Sequence, residues 1–115
     1  MKIERFEDII AWQKSKELTI QIYKLFSEIK DFGFRDQIRR ASVSIMNNIA
    51  EGFERRSNKE LTHFLFIAKG SCGEVRSMLI LANELNMIDQ SQTSTLYLLA
   101  EEISRMLSGL IKALR

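Results

Sequence analysis

The sequence has no proline, one histidine, one cysteine and five glycines. Without proline, no backbone N–H is missing and no ring blocks a preceding turn, so long unbroken helices are free to form. A single cysteine, Cys72, excludes an internal disulfide, and its apolar neighbours suit a reduced, cytoplasmic setting. No stretch approaches the roughly eighteen apolar residues of a membrane-crossing helix. No apolar region of signal length follows the opening MKIERFED, so neither membrane insertion nor secretion is expected. Charge of one sign is also lacking: 17 basic against 15 acidic residues leave a net +2, which neither demands nor excludes an anionic partner.

What remains is rich in Leu, Ile, Ala, Glu, Lys and Arg, with 45% hydrophobic residues and few β-branched runs. These are helix formers, and the chain is long enough to bury a core, so the reading is one all-α domain over residues 1–115. The stretch Asp36 to Asn58 organises it. On a helical wheel Ile38, Ala41, Ser42, Ile45, Ile49 and Gly52 share one face, and Val43, Met46, Ala50 and Phe53 form a second beside it. One core needs a narrower stripe, so this helix is expected to touch two bodies, its own bundle and something else. Its polar side steps through Arg40, Ser44, Asn47 and Glu51, with Gln37, Asn48, Glu54 and Arg55 alongside, a set suited to a hydrogen-bonded network.

Along the chain, the first helix is expected from near Asp8 or a few residues later to about Ile29, with a core stripe of Leu18, Ile22, Leu25 and Ile29. Trp12, Tyr23 and Phe26 fall on an adjacent face, and Phe6 and Ile9 can fold back over the bundle end. Lys30 to Arg35 reads as the connection, with Gly33 as its turn residue, and Asp36 as a cap for the second helix. Ser57, with Glu60 at capping-box spacing, opens the third and longest helix, whose seam is Leu61, Leu65, Ala68, Cys72, Val75, Leu79 and Ala82. A second stripe there holds Phe64, Ile67, Ser71, Met78, Leu81 and Leu85, with Phe66 and Ile80 elsewhere again. Asp89, Ser91 or Ser94 caps the fourth helix, whose seam is Leu96, Leu99, Ile103, Met106 and Leu110. Short loops make neighbours antiparallel, so the fold expected is an up-down-up-down four-helix bundle, and its surplus apolar faces point to a homo-oligomer. Val43, Met46, Phe53, Phe64 and Ile67 are the candidate interface between subunits.

Catalysis finds little support. Glu60 and His63 form one Glu-x-x-His pair, but the second pair that a bundle di-metal site needs would require another histidine. Cys72 falls on a core seam with no histidine nearby in sequence, which describes an inert small hydrophobe. Gly70-Ser71-Cys72-Gly73 lacks the lysine and preceding strand of a phosphate-cradling loop, and its glycines read as places of close helix approach. No enzyme activity, cofactor or metal is therefore expected. Arg39-Arg40 and Arg55-Arg56-Lys59 bracket the second helix, with Arg35, Lys69 and Arg76 in the same half. Guanidinium groups hold phosphates bidentately, so these clusters can grip a nucleic-acid backbone. They can equally be consumed by ion pairs with Glu51 and Glu54.

Several segments carry a family resemblance: Gln37-Ile38-Arg39-Arg40-Ala41-Ser42-Val43-Ser44-Ile45, Asn48-Ile49-Ala50-Glu51-Gly52, Arg56-Ser57-Asn58-Lys59-Glu60 and Ala68-Lys69-Gly70-Ser71. With Phe6-Glu7-Asp8-Ile9 and Trp12-Gln13-Lys14, the chain resembles the bacterial four-helix bundle proteins first noticed inside intervening sequences of large-subunit ribosomal RNA genes. The resemblance implies a homopentamer around an axial channel. The chain is also similar to the accessory variability protein of diversity-generating retroelements, which implies nucleic-acid binding and a reverse transcriptase partner. Together these readings give a non-enzymatic cytoplasmic homopentamer that binds RNA or DNA through Arg39, Arg40, Arg55, Arg56 and Lys59. Gln37, Asn48, Glu51 and Glu74 would position the arginines and join helices. The alternative is a protein-interaction scaffold without nucleic-acid binding.

Overall fold

The computed structural model describes residues 3–115. A 3-10 turn at Phe6–Asp8 leads into four helices: α1 (Ile10–Leu25), α2 (Phe32–Glu54), α3 (Asn58–Glu84) and α4 (Gln90–Ala113). At about 1.5 Å per residue the longest of them spans about 40 Å, which accounts for the 43 Å long axis against widths of 21 and 19 Å. Each helix packs on its two neighbours in the cyclic order α1, α2, α3, α4. Residue pairs across α2 and α3 fix their relative direction. Gln37 meets Glu74, Ser44 meets Ser71 and Gly52 meets Phe64, so numbers fall on one helix as they rise on the other. Lys14 against Glu102 and Phe26 against Phe34 place α1 among its neighbours, and the bundle runs up-down-up-down.

Local chemistry sets the boundaries. Asp31 opens α2, its carboxylate accepting from Phe34 N at 3.1 Å. Ser57 opens α3 through Glu60 N at 3.2 Å, and Asp89 opens α4 in a full capping box with Gln92. Arg56 and Asn86 stand in the left-handed region, with φ 63° and 61°, and stop α2 and α3. Four expectations are corrected here. Asp8 belongs to the 3-10 turn, and Ile9 precedes α1 with no side-chain cap. Gly33 lies inside the first turn of α2 rather than in the connection, and Asp31 rather than Asp36 caps that helix. At Ser57 the cap is single, because Glu60 turns its carboxylate to Arg55.

The core runs the length of the bundle. Leu18, Ile22, Ile38, Ile45, Ile49, Leu65, Val75, Leu79, Ile103 and Leu107 are all at 0–1% exposure. On α2 and α3 the buried faces follow the sequence pattern, save that Leu61 is half-buried. On α1 the buried set is Ala11, Ser15, Leu18, Thr19 and Ile22, continued by Phe26, while Leu25 and Ile29 stay half-buried. Ser15 and Thr19 sink into the core because their hydroxyls donate to the carbonyls of Ala11 and Ser15, at 2.6 and 2.8 Å. The α4 seam is Thr93, Leu96, Ala100, Ile103, Leu107 and Ile111, so Leu99, Met106 and Leu110 are displaced to its half-buried flank. Gly70 and Gly73 mark no close approach, since a β-carbon at Gly70 would meet nothing within 4 Å and one at Gly73 only the Arg76 side chain. The close approach is at Gly52, against Phe64 and Leu61.

Candidate nucleic-acid interface

The polar residues of α2 divide between the α3 seam and open surface. Ser44 is the hub of the seam: its hydroxyl accepts from Ser71 Oγ at 3.0 Å and from Asn48 Nδ2 at 2.9 Å, and Asn48 also donates to the Ser44 carbonyl at 2.8 Å. One helical repeat toward the start of α2, Gln37 donates to Glu74 at 3.1 Å. Glu51 lies further along the same side and pairs with Arg55 at 3.0 Å. Gln37, Ser71 and Glu74 thus tie two helices together, whereas Asn48 and Glu51 bond within α2 or its terminus.

The five basic residues do not form one cluster. Arg39 and Arg40 stand about 22–26 Å along the helix axis from Arg55 and Arg56, from fifteen to seventeen residues at helical rise. Arg39 turns toward α1, where its guanidinium lies 4.5 Å from the Tyr23 ring centre and Nη2 donates to the Tyr23 carbonyl at 3.0 Å. Its Nε is buried without a hydrogen-bond partner. Arg55 is held by Glu51 and Glu60, at 3.0 and 3.5 Å, over the face of Phe64. Arg40, Arg56 and Lys59 are exposed, and none forms an ion pair among the described residues. Arg56 also keeps its left-handed backbone at the turn between α2 and α3.

The apolar candidates separate in the same way. Arg39, Val43, Met46, Ala50 and Phe53 fall on one strip of α2 by helical spacing, and Arg39 places that strip on the α1 side. Val43 and Met46 are half-buried, and Phe53 packs onto the core beside Ile3 and Ile9. Phe64 is half-buried between Gly52 and Arg55. Ile67 is open at 39% exposure, and the other bare apolar residues here are Phe66, Ile80 and Leu81 on α3 and Leu85 at its C-cap.

His63 stacks edge-on to Phe64 with ring centres 5.5 Å apart, and Glu60 faces Arg55. Among the described residues no three His, Cys, Asp or Glu side chains are grouped as metal ligands, and no helix is long and apolar enough to cross a membrane. Burial pushes the Cys72 thiol up to about 12 against the opposing pull of Arg76 and Lys69, so it is not a thiolate at neutral pH. Sequence spacing missed the hold of Tyr23 on Arg39, because the two are sixteen residues apart on different helices. It also missed a basic hollow between α3 and α4 lined by Phe66, Lys69, Ser108, Ile111, Lys112 and Arg115. Its one sequence signal is Phe66, an aromatic off both apolar stripes of α3.

These features define a helical bundle with a buried apolar core, polar pins between α2 and α3, and surface cations most of which form no ion pair among the described residues. The chain belongs to the 23S rRNA-intervening sequence protein family, whose pattern it matches over residues 7–109. A crystal structure of a protein of unknown function from the S23 ribosomal protein family of Bacteroides thetaiotaomicron shares the fold, with a TM-score of 0.83 and 29% identity over 89% of this chain and 98% of that one. No curated protein matches.

Proposed function

We propose that the protein is a non-catalytic cytoplasmic subunit that associates with copies of itself and binds RNA through phosphate contacts from Arg40, Arg56 and Lys59. The observation carrying this reading is Arg56: a long charged side chain, exposed and unpaired, at a left-handed turn position that glycine would occupy with less strain. Arg40 and Lys59 are equally open, while Arg39 and Arg55 serve the fold. The phosphate-binding set is therefore narrower than the five residues the sequence suggests. RNA is taken as the ligand after the ribosomal RNA named in the family's description, which itself states no binding. Self-association draws on the exposed Ile67, Leu81 and Leu85 along α3, with five copies and a reverse transcriptase partner suggested by resemblance. A ring would repeat each unpaired cation around one axis and concentrate a modest field.

Binding of a labelled RNA at 50 and 200 mM salt tests this reading in the intact chain and in the Arg40→Ala, Arg56→Gly, Lys59→Ala triple variant. Affinity of the intact chain should fall steeply with salt, and the variant should lose about tenfold or more with a slope shallower by roughly two to three, near one per lost contact. A variant binding as tightly as the intact chain removes these three cations from the function. No salt-dependent binding by either protein, with a protein partner captured instead, favours the scaffold reading.

A further inference from the structure

The α3/α4 groove at the end of the bundle where α3 begins and α4 finishes combines three cations with one bare aromatic ring. Lys69 from α3 and Lys112 and Arg115 from α4 rim a hollow of about 280 Å³ with Ser108, and no acidic side chain lines it. None of the three cations forms an ion pair among the described residues, although like charges crowded without a partner repel one another. Phe66 stands at the same hollow with 49% of its surface exposed. An aromatic ring left bare between cations gains nothing for the subunit's own core, which already holds Leu65 and Ala68 on the buried side of that turn.

We infer that this groove is a single-stranded RNA site, in which Lys69, Lys112 and Arg115 hold a phosphate and Phe66 stacks on an adjacent base. The inference rests on the RNA reading above, but it names a different surface and a different mode of contact. Stacking needs an unpaired base, so the site selects single strands, whereas Arg40 and Arg56 read only the backbone. Lys59 lies on the same strip of α3 as Phe66, two turns toward the N-terminus and about 10 Å away by helical rise. A strand leaving the stacked base in that direction reaches the unpaired cations of the α2–α3 turn. The two surfaces form one track around the bundle end, with the specificity for unpaired bases placed at Phe66.

Fluorescence anisotropy with a 12-nucleotide uridine strand and a duplex RNA of equal length tests the assignment. Phe66→Ala should weaken single-strand binding by about 5- to 100-fold, the cost of one lost base stack, and change duplex binding less than twofold. Phe66→Trp should retain single-strand binding, and in a Trp12→Phe background its fluorescence should be quenched by the strand. Lys69→Ala with Lys112→Ala should weaken the single strand at least tenfold. All these positions are exposed or half-buried, and an unchanged circular dichroism melt confirms the fold. If both variants bind like the intact chain while Arg40→Ala with Arg56→Gly loses affinity, RNA binding stands and this groove is refuted. Equal losses for strand and duplex on Phe66→Ala, or a changed assembly size with unchanged binding, would also overturn the stacking role.

Discussion

Gly52 of α2 faces Phe64 of α3 so closely that a β-carbon at position 52 would lie 2.7 Å from the Phe64 β-carbon and 3.1 Å from a Leu61 methyl. The Phe64 β-carbon is fixed to the backbone of α3, so the clash is not relieved by turning a side chain. Gly52→Ala must separate α2 from α3 at this contact. Alanine's better helix propensity returns about 1 kcal/mol, less than the overpacking it causes. We expect a net loss of about 1–2 kcal/mol for Gly52→Ala. Gly70→Ala should instead gain about 0.5–1 kcal/mol, because its β-carbon meets nothing within 4 Å. Urea melts of the two variants should therefore move in opposite directions, and a stabilised Gly52→Ala would show that the two helices can spread without cost.

That contrast also marks how far the sequence could be read. The buried face of α2 and most of the α3 seam were legible because Ile38, Ile45, Ile49, Leu65, Val75 and Leu79 repeat with helical period, and Ser42 is the one hydroxyl among the buried residues of the two helices. The α4 seam was misplaced by a quarter turn, since leucines and methionines occupy both flanks and Thr93 and Ala100, small or polar, take core positions. Gly70 and Gly73 looked like contact points only because glycine is uncommon in helices. Which helix surface meets which neighbour is a tertiary fact that no local spacing carries. The same holds for the arginines: Arg55 was within reach of Glu51 in sequence, but the capture of Arg39 by Tyr23 depends on how α1 lies against α2.

Cys72 makes stability depend on alkaline pH. Its thiol is raised from 9.0 to about 12 by burial in the α3 seam, against Arg76 and Lys69. Below pH 9.0 the folded and unfolded chains both keep the proton, and this group gives no pH dependence. Between 9.0 and about 12 the unfolded chain releases it while the folded chain retains it, so the unfolded state is favoured as pH rises. Denaturant midpoints of the intact chain should fall more steeply over that window than those of Cys72→Ala, whose own cost is a pH-independent loss of about 1 kcal/mol for the cavity. Parallel midpoints for the two proteins would mean the thiol ionises in the folded state as it does in water. Alkylation of the native protein at pH 7 should be correspondingly slow, and fast in urea.

Arg55 and Arg56 are adjacent, equally charged and oppositely employed. Arg55 lies over Phe64 between Glu51 and Glu60, so Arg55→Ala removes a cation–aromatic contact and two surface ion pairs, together worth about 1 kcal/mol at the exposure these side chains have. Arg56 has no ion pair among the described residues and a φ of 63°, which an L residue adopts only against steric resistance from its β-carbon. Arg56→Gly relieves that resistance at a helix C-terminus, where glycine is the commonest solution, and should raise stability by about 0.5–1 kcal/mol. If the side chain is retained for an anion, the same substitution should lower RNA affinity and flatten its salt dependence by about one contact. Arg55→Ala should show the reverse pair of effects, a lower melting temperature with RNA affinity changed less than twofold. Thermal melts and anisotropy on these two single variants separate the fold's arginine from the ligand's. Unchanged RNA binding in a stabilised Arg56→Gly protein would show that this strained position serves no phosphate.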